Sequence, residues 1–177
     1  DGQVRVFDTS RAPNPQATAE GDMNPDREHG WRAAFGPSFE MGSTFAVDNG
    51  RCRVMLGDDA KLVVQHIRSD GSGYEDAGWA ELDYRVSRVA VESYTPDRAV
   101  VKMSLSGDNR MGSAVVTLER GWPGPIIDVY HFGDQQRTRT SKGAHVERIG
   151  DWEGIRFGFD DETAMSHSSV SATLLRR

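Results

Sequence analysis

One cysteine, three lysines and no apolar run near the roughly 20 residues needed to cross a bilayer mark this 177-residue chain by what it lacks. Cys52 has no partner for an intrachain disulfide, so stability must come from burial of apolar surface. In Arg51-Cys52-Arg53-Val54-Met55-Leu56, alternation points Cys52, Val54 and Leu56 the same way, and the thiol reads as a small buried hydrophobe rather than a reactive group. Lys61, Lys102 and Lys142 stand beside 18 arginines, but no block of either forms. With a net charge of -6 and a pI of about 5.3, nothing on the chain would track a phosphate backbone, which excludes nucleic acid as a direct partner. The arginine bias is that of a GC-rich genome and carries no mechanism. No signal-like segment follows Asp1-Gly2 and no span is long enough for membrane insertion, so a soluble chain is expected. Without an initiating Met, and ending in Leu174-Leu175-Arg176-Arg177, it reads as a processed product or a piece of something longer.

Helix-period segments are also missing; period-2 patterning takes their place. Strands are expected near Val4 to Phe7, Thr44 to Asp48, Arg51 to Leu56, Leu62 to Ile67, Ala80 to Val86, Val89 to Tyr94, Arg98 to Leu105, Ala114 to Arg120, Ile126 to Phe132, Ile155 to Phe159 and Val170 to Leu175. Asp48-Asn49-Gly50 has the form of a type I′ hairpin turn, Thr95-Pro96-Asp97-Arg98 that of a type I turn, and Ser106-Gly107-Asp108-Asn109 closes a third hairpin. Together these hairpins predict an antiparallel meander over roughly residues 80 to 132. Only 37% of residues are hydrophobic and mean hydropathy is -0.59, so the core should be modest and the loops long. The expected fold is all-β: one domain over residues 1–177, an antiparallel two-sheet β-sandwich, jelly-roll-like. Residues 9–37, with Pro13, Pro15, Pro25 and Pro37, form an extended N-terminal arm or long loop without a regular ladder. Gly133 to Gly143 reads as a mobile polar loop.

No catalytic, cofactor or metal signature emerges. His29, His66, His131, His145 and His167 show no i, i+2 or i, i+4 spacing, and His66 and His131, at strand positions, read as hydrogen-bonded structural histidines. Asp70-Gly71-Ser72-Gly73-Tyr74-Glu75-Asp76 places oxygens at alternate positions as a calcium loop would, but lacks the glycine and the final glutamate of an EF-hand, so it reads as a flexible acidic loop. Glu92, Glu119, Asp128 and Glu147 are formally available for paired-carboxylate hydrolysis, yet 27 acids supply such pairs by chance, and no Gly-x-Ser-x-Gly elbow is present. The chain is therefore expected not to be an enzyme. Trp31, Trp79, Trp122 and Trp152 adjoin glycines or loops, where an indole can anchor an interface or stack on a sugar, or else fold back to close the core.

Arg88-Val89-Ala90-Val91-Glu92-Ser93-Tyr94-Thr95-Pro96-Asp97-Arg98-Ala99-Val100-Val101, followed by Val116-Thr117-Leu118-Glu119-Arg120-Gly121-Trp122-Pro123-Gly124-Pro125, resembles minor tail proteins of actinobacterial siphophages. The resemblance implies a β-sandwich module at the tail tip or baseplate, located in the virion and extracellular after assembly. Its implied partners are other tail proteins in a symmetric homo-oligomer, together with host-surface glycan. It implies no cofactor and carries no catalytic residues. The same Leu-Glu-Arg-Gly strand ending is similar to sandwich domains of polysaccharide-processing enzymes, which makes a carbohydrate-binding or carbohydrate-cleaving domain the alternative.

Overall fold

Apolar residues recur at every second position in long, turn-bounded segments, and each such segment becomes a strand with one face against the core. The computed structural model describes residues 2–10, 32–33, 39–41, 44–57, 59–133 and 138–158, and among these every regular element is a strand. Sheet A contains β1 (Arg5–Asp8), β2 (Arg32–Ala33), β4 (Phe45–Asp48), β5 (Cys52–Leu56), β6 (Lys61–Ile67), β7 (Tyr74–Glu81) and β12 (Arg139–Thr140), in the order β12-β7-β6-β5-β4-β1-β2. Sheet B contains β3 (Phe39–Met41), β8 (Arg85–Thr95), β9 (Arg98–Gly107), β10 (Arg110–Glu119), β11 (Ile126–Gly133), β13 (His145–Ile149) and β14 (Trp152–Arg156), in the order β13-β14-β11-β10-β9-β8-β3. All pairings are antiparallel. The expected antiparallel two-sheet β-sandwich is what the chain forms. Its likeness to a jelly roll ends with the two facing sheets, because successive strands β4 to β7 and β8 to β11 are neighbours in one sheet and make two meanders.

The two inner faces share one core. Val6, Val47, Cys52, Val54, Leu56, Leu62, Val64 and Ala80 of sheet A meet Val89, Val91, Val101, Met103, Leu105, Ala114, Val116, Leu118, Ile127, Val129 and Ile155 of sheet B. Cys52 sits in this core as its alternation predicts, and burial, with the nearby Asp48 carboxylate second, pushes its thiol up to about 12, far from thiolate chemistry at neutral pH.

At one end of the sandwich the sheets are clamped by Asn49, which is buried. Its Oδ1 accepts from the backbone N–H groups of Arg51 and Cys52, and its Nδ2 donates to the carbonyls of Glu119 and Trp122. The expected type I′ turn is not the one formed: it would need positive φ at both central residues, but only Gly50 has it, at 78°. Asn49 instead spends its side chain crossing to sheet B.

Other expectations shift for identifiable reasons. The segment Ala80 to Val86 is not one strand. Ala80, Leu82 and Tyr84 keep an inward phase of two, but the chain leaves sheet A at Glu81 and enters sheet B at Arg85, with the Leu82 N–H bonded to the Ala60 carbonyl on the way. Half of the presumed acidic loop, Tyr74 to Asp76, belongs to β7, where the Asp76 carboxylate accepts from Gln65. Gly133 to Gly143 is not wholly a loop, since Arg139–Thr140 pairs with β7. Within the expected arm, Arg32–Ala33 pairs with β1 and Thr9 bonds to Thr44; most of residues 9–37 and the expected strand at Val170 to Leu175 lie outside the described residues.

Candidate binding face

The three tryptophans among the described residues do not form a common site. Trp31 lies outside the described residues. Trp79 is half-buried on the outer face of sheet A, with Lys61 Nζ 4.8 Å from its ring centroid. Trp122 closes the Asn49 end and packs against the core, and Trp152 is buried on the outer face of sheet B. Both stretches that carry the tail-protein resemblance meet at the Asn49 end. The Pro96-Asp97 hairpin and the Arg120–Pro125 loop are joined there by Arg120, whose Nε lies 2.6 Å from Asp97 Oδ1 and whose N–H donates to the Asp97 carbonyl. Trp122 is partly buried there, packed against the core, and its carbonyl accepts from Asn49 Nδ2.

At the opposite end lies a polar chain that sequence reading reached only through His131. Tyr84 Oη is 2.5 Å from His131 Nδ1, and His131 Nε2 is 2.6 Å from Glu153 Oε1. The same Oε1 accepts from Thr138 N–H and Thr138 Oγ1, and Oε2 accepts from Arg148 Nε at 2.8 Å. Burial first, then the nearby Glu153 charge, raises the Tyr84 phenol above its usual range against an opposing pull from Arg110, so the phenol is the donor to Nδ1. The imidazole then carries its proton on Nε2 and donates to the carboxylate. Burial alone would raise the Glu153 carboxyl, but the bonds from His131, Thr138 and Arg148 outweigh it and hold Glu153 below the ordinary carboxylate range. The connectivity is that of a catalytic relay, but its terminal hydroxyl is buried and stacked beside His131 at 5.6 Å, so it has the character of a structural tie. His131 is the structural histidine its strand position suggested; His66, by contrast, leaves Nε2 buried with no hydrogen-bond partner among the described residues.

Of the four acids considered for hydrolysis, Glu92 and Glu119 lie apart on β8 and β10, Glu119 within 3.6 Å of Arg98. Asp128 and Glu147 do share a face: they stand opposite Gly154 from either side. The space between them is filled. A Cβ on Gly154 would lie 2.2 Å from Arg156 Nη1 and 2.5 Å from Trp152 Cζ2, so the guanidinium and the indole cross over that glycine. Arg156 is only 1% exposed, and its three nitrogens have no hydrogen-bond partner among the described residues. Burial lowers its pKa, while Asp128 and Glu147 act in the opposite sense. Trp152 Nε1 donates to Asp128 at 3.1 Å.

The same face carries a feature the sequence reading missed. Met111 is 65% exposed, Phe132 52% and Ile149 44%. Met111 is directly opposite Phe132, and Tyr130 is one row further along, opposite Trp152, which is itself opposite Ile149. The Tyr130 and Phe132 rings touch at a centroid distance of 4.6 Å. Three of the four large exposed hydrophobics among the described residues therefore lie on one sheet face, beside a half-buried tyrosine and above a buried tryptophan. An apolar cluster on a flat face of paired strands is what a monomer avoids and an interface uses.

No protein-family model, curated protein or solved structure matches this chain.

Proposed function

We propose that this chain is a non-catalytic assembly and adhesion module of a phage tail and that it docks through the outer face of sheet B. The observation that carries the reading is the cluster of exposed Met111, Phe132 and Ile149 around the half-buried Tyr130 on one sheet face. Rigid strands hold these side chains in place before binding, which lowers the ordering cost of association. The buried relay, the inert Cys52 and the guanidinium lodged between Asp128 and Glu147 offer no open reacting centre. The tail assignment rests on the resemblance in residues 88–101 and 116–125, the two stretches that meet at the Asn49 end. The test is incorporation: tails assembled with a Met111→Asp/Phe132→Asp chain should lack it or fail to adsorb, with the variant's fold confirmed by circular dichroism. Normal incorporation and adsorption of a folded variant would sink the reading.

The carbohydrate alternative is favoured by one observation, the placement of Asp128 and Glu147 around Gly154 beneath aromatic rings. Hydrolysis would require Arg156 and Trp152 to vacate the gap. Titration of soluble glycans against tryptophan fluorescence tests it, and saturable quenching that disappears in Asp128→Asn would favour it over tail assembly.

A further inference from the structure

The outer face of sheet B is asymmetric in charge as well as apolar at its centre. On β8 and β9 it presents Arg85, Arg88 and Lys102, all exposed, with Glu92 at the β8 bulge beside them and the Arg98–Glu119 pair near the end. On the far side, β13 presents Glu147, and Asp128 lies behind it. Between these flanks run Met111, Ser113, Val115, Tyr130 and Phe132.

We propose that this face packs against a second copy of the same chain, in an isologous dimer whose two-fold axis lies in the interface along β11. The proposal rests on the reading of this face as a docking surface and names its occupant. Rotation about such an axis exchanges left and right but preserves position along the strands. β14 and β13 lie on one side of β11 and β10, β9, β8 and β3 on the other, so β9 of one copy comes over β13 of the other while β8 and β3 overhang the edge. Lys102 and Glu147 occupy the same row, linked by the opposed positions Lys102, Val115, Asp128, Gly154 and Glu147. The rotation therefore places each Lys102 over Glu147 of the second copy, giving two equivalent ion pairs. Tyr130 and Phe132 lie on the axis and meet their own copies, and Met111 falls toward the Gly150-Asp151 turn. A two-fold axis running across the strands would set the Arg85, Arg88 and Lys102 strip on itself, and like charges facing across an interface are costly. The self-complementary row is what selects a second copy over an unrelated partner.

Four spacings of ~4.8 Å between β13 and β9, the strands that overlap, and four rows spanning ~20 Å, give a footprint of roughly 400 Å² per copy. The pair then buries on the order of 800 Å², the size of a weak, concentration-dependent association, and aligned sheets pack face to face in this way with a crossing near 30°.

The test is sedimentation velocity on the full chain with a charge swap. Wild type should show a concentration-dependent dimer, and Phe132→Asp should be monomeric. Lys102→Glu and Glu147→Lys should each raise the dissociation constant about ten-fold or more, because each turns two attractions into two repulsions; the double variant should recover most of the loss. A wild-type chain that stays monomeric to about 100 μM, a dimer untouched by Phe132→Asp, or a double variant no better than either single one would overturn the proposal. If the chain is monomeric while Phe132→Asp still blocks incorporation into tails, the docking face stands and its occupant is a different protein. If neither self-association nor incorporation responds, both readings fall. Circular dichroism and melting of each variant separate these outcomes from misfolding.

Discussion

Replacing His131 by Phe tests whether the buried relay is a structural tie. The phenyl ring keeps the stack beside Tyr84 but removes both ring nitrogens. Tyr84, 8% exposed, is left with a hydroxyl that has lost its acceptor, at about 1–3 kcal/mol. Glu153 keeps Thr138 and Arg148 but loses a charge-assisted bond worth about 1.5–3 kcal/mol. The expected destabilisation is about 3–5 kcal/mol, which in a chain of this size lowers the melting temperature by roughly 8–15 °C. Urea unfolding and thermal melting at pH 7 measure it. Adding Tyr84→Phe to His131→Phe should recover about 1 kcal/mol, because it removes the stranded hydroxyl, whereas Tyr84→Phe alone should destabilise. A His131→Phe chain within about 1 kcal/mol of wild type, or one made still less stable by Tyr84→Phe, would refute the assigned hydrogen bonding.

Glu153→Gln should change the pH dependence of stability. A carboxyl whose folded pKa is depressed contributes fully above its unfolded value of about 4.3, and that contribution is lost as pH falls through the folded value. The gap between wild type and Glu153→Gln should thus be wide at neutral pH and close in acid; a gap independent of pH contradicts the account. Asn49→Ala removes four hydrogen bonds, two within its own turn and two that cross to sheet B, and should cost about 3 kcal/mol in thermal or urea unfolding. A loss below about 1 kcal/mol would show that the core alone holds that end.

The sandwich was legible because alternation and turn chemistry are local. Asp108-Asn109 sets the register of β9 and β10, with Asn109 at a φ of 55°, and Pro96-Asp97 sets that of β8 and β9. The misreadings arose where one local pattern served two ends. Ala80, Leu82 and Tyr84 keep phase while passing between sheets, and Asn49-Gly50 carries a hairpin signature although its amide reaches Glu119 and Trp122. The relay joins Tyr84, His131, Thr138, Arg148 and Glu153 from separate segments, and nothing in spacing foretells which of five histidines will meet which carboxylate. The exposed face was closer to hand. A two-residue hairpin places Met111 opposite Ser106 and out of phase with Met103 and Leu105, which already points it away from the core. Met111 and Ile149 were hidden because the expected strand began only at Ala114 and no strand was expected over His145–Ile149, so neither residue had an assigned face.

The central claim, that the outer face of sheet B is the working surface, is tested most directly by side-chain oxidation footprinting of the isolated, diluted chain against the purified assembly that contains it. Met111 and Phe132 are open in the single chain and should be modified readily there, then become strongly protected in the assembly, while Ile67 on sheet A, exposed at 40%, changes little. Equal modification of Met111 and Phe132 in the two states would contradict the account.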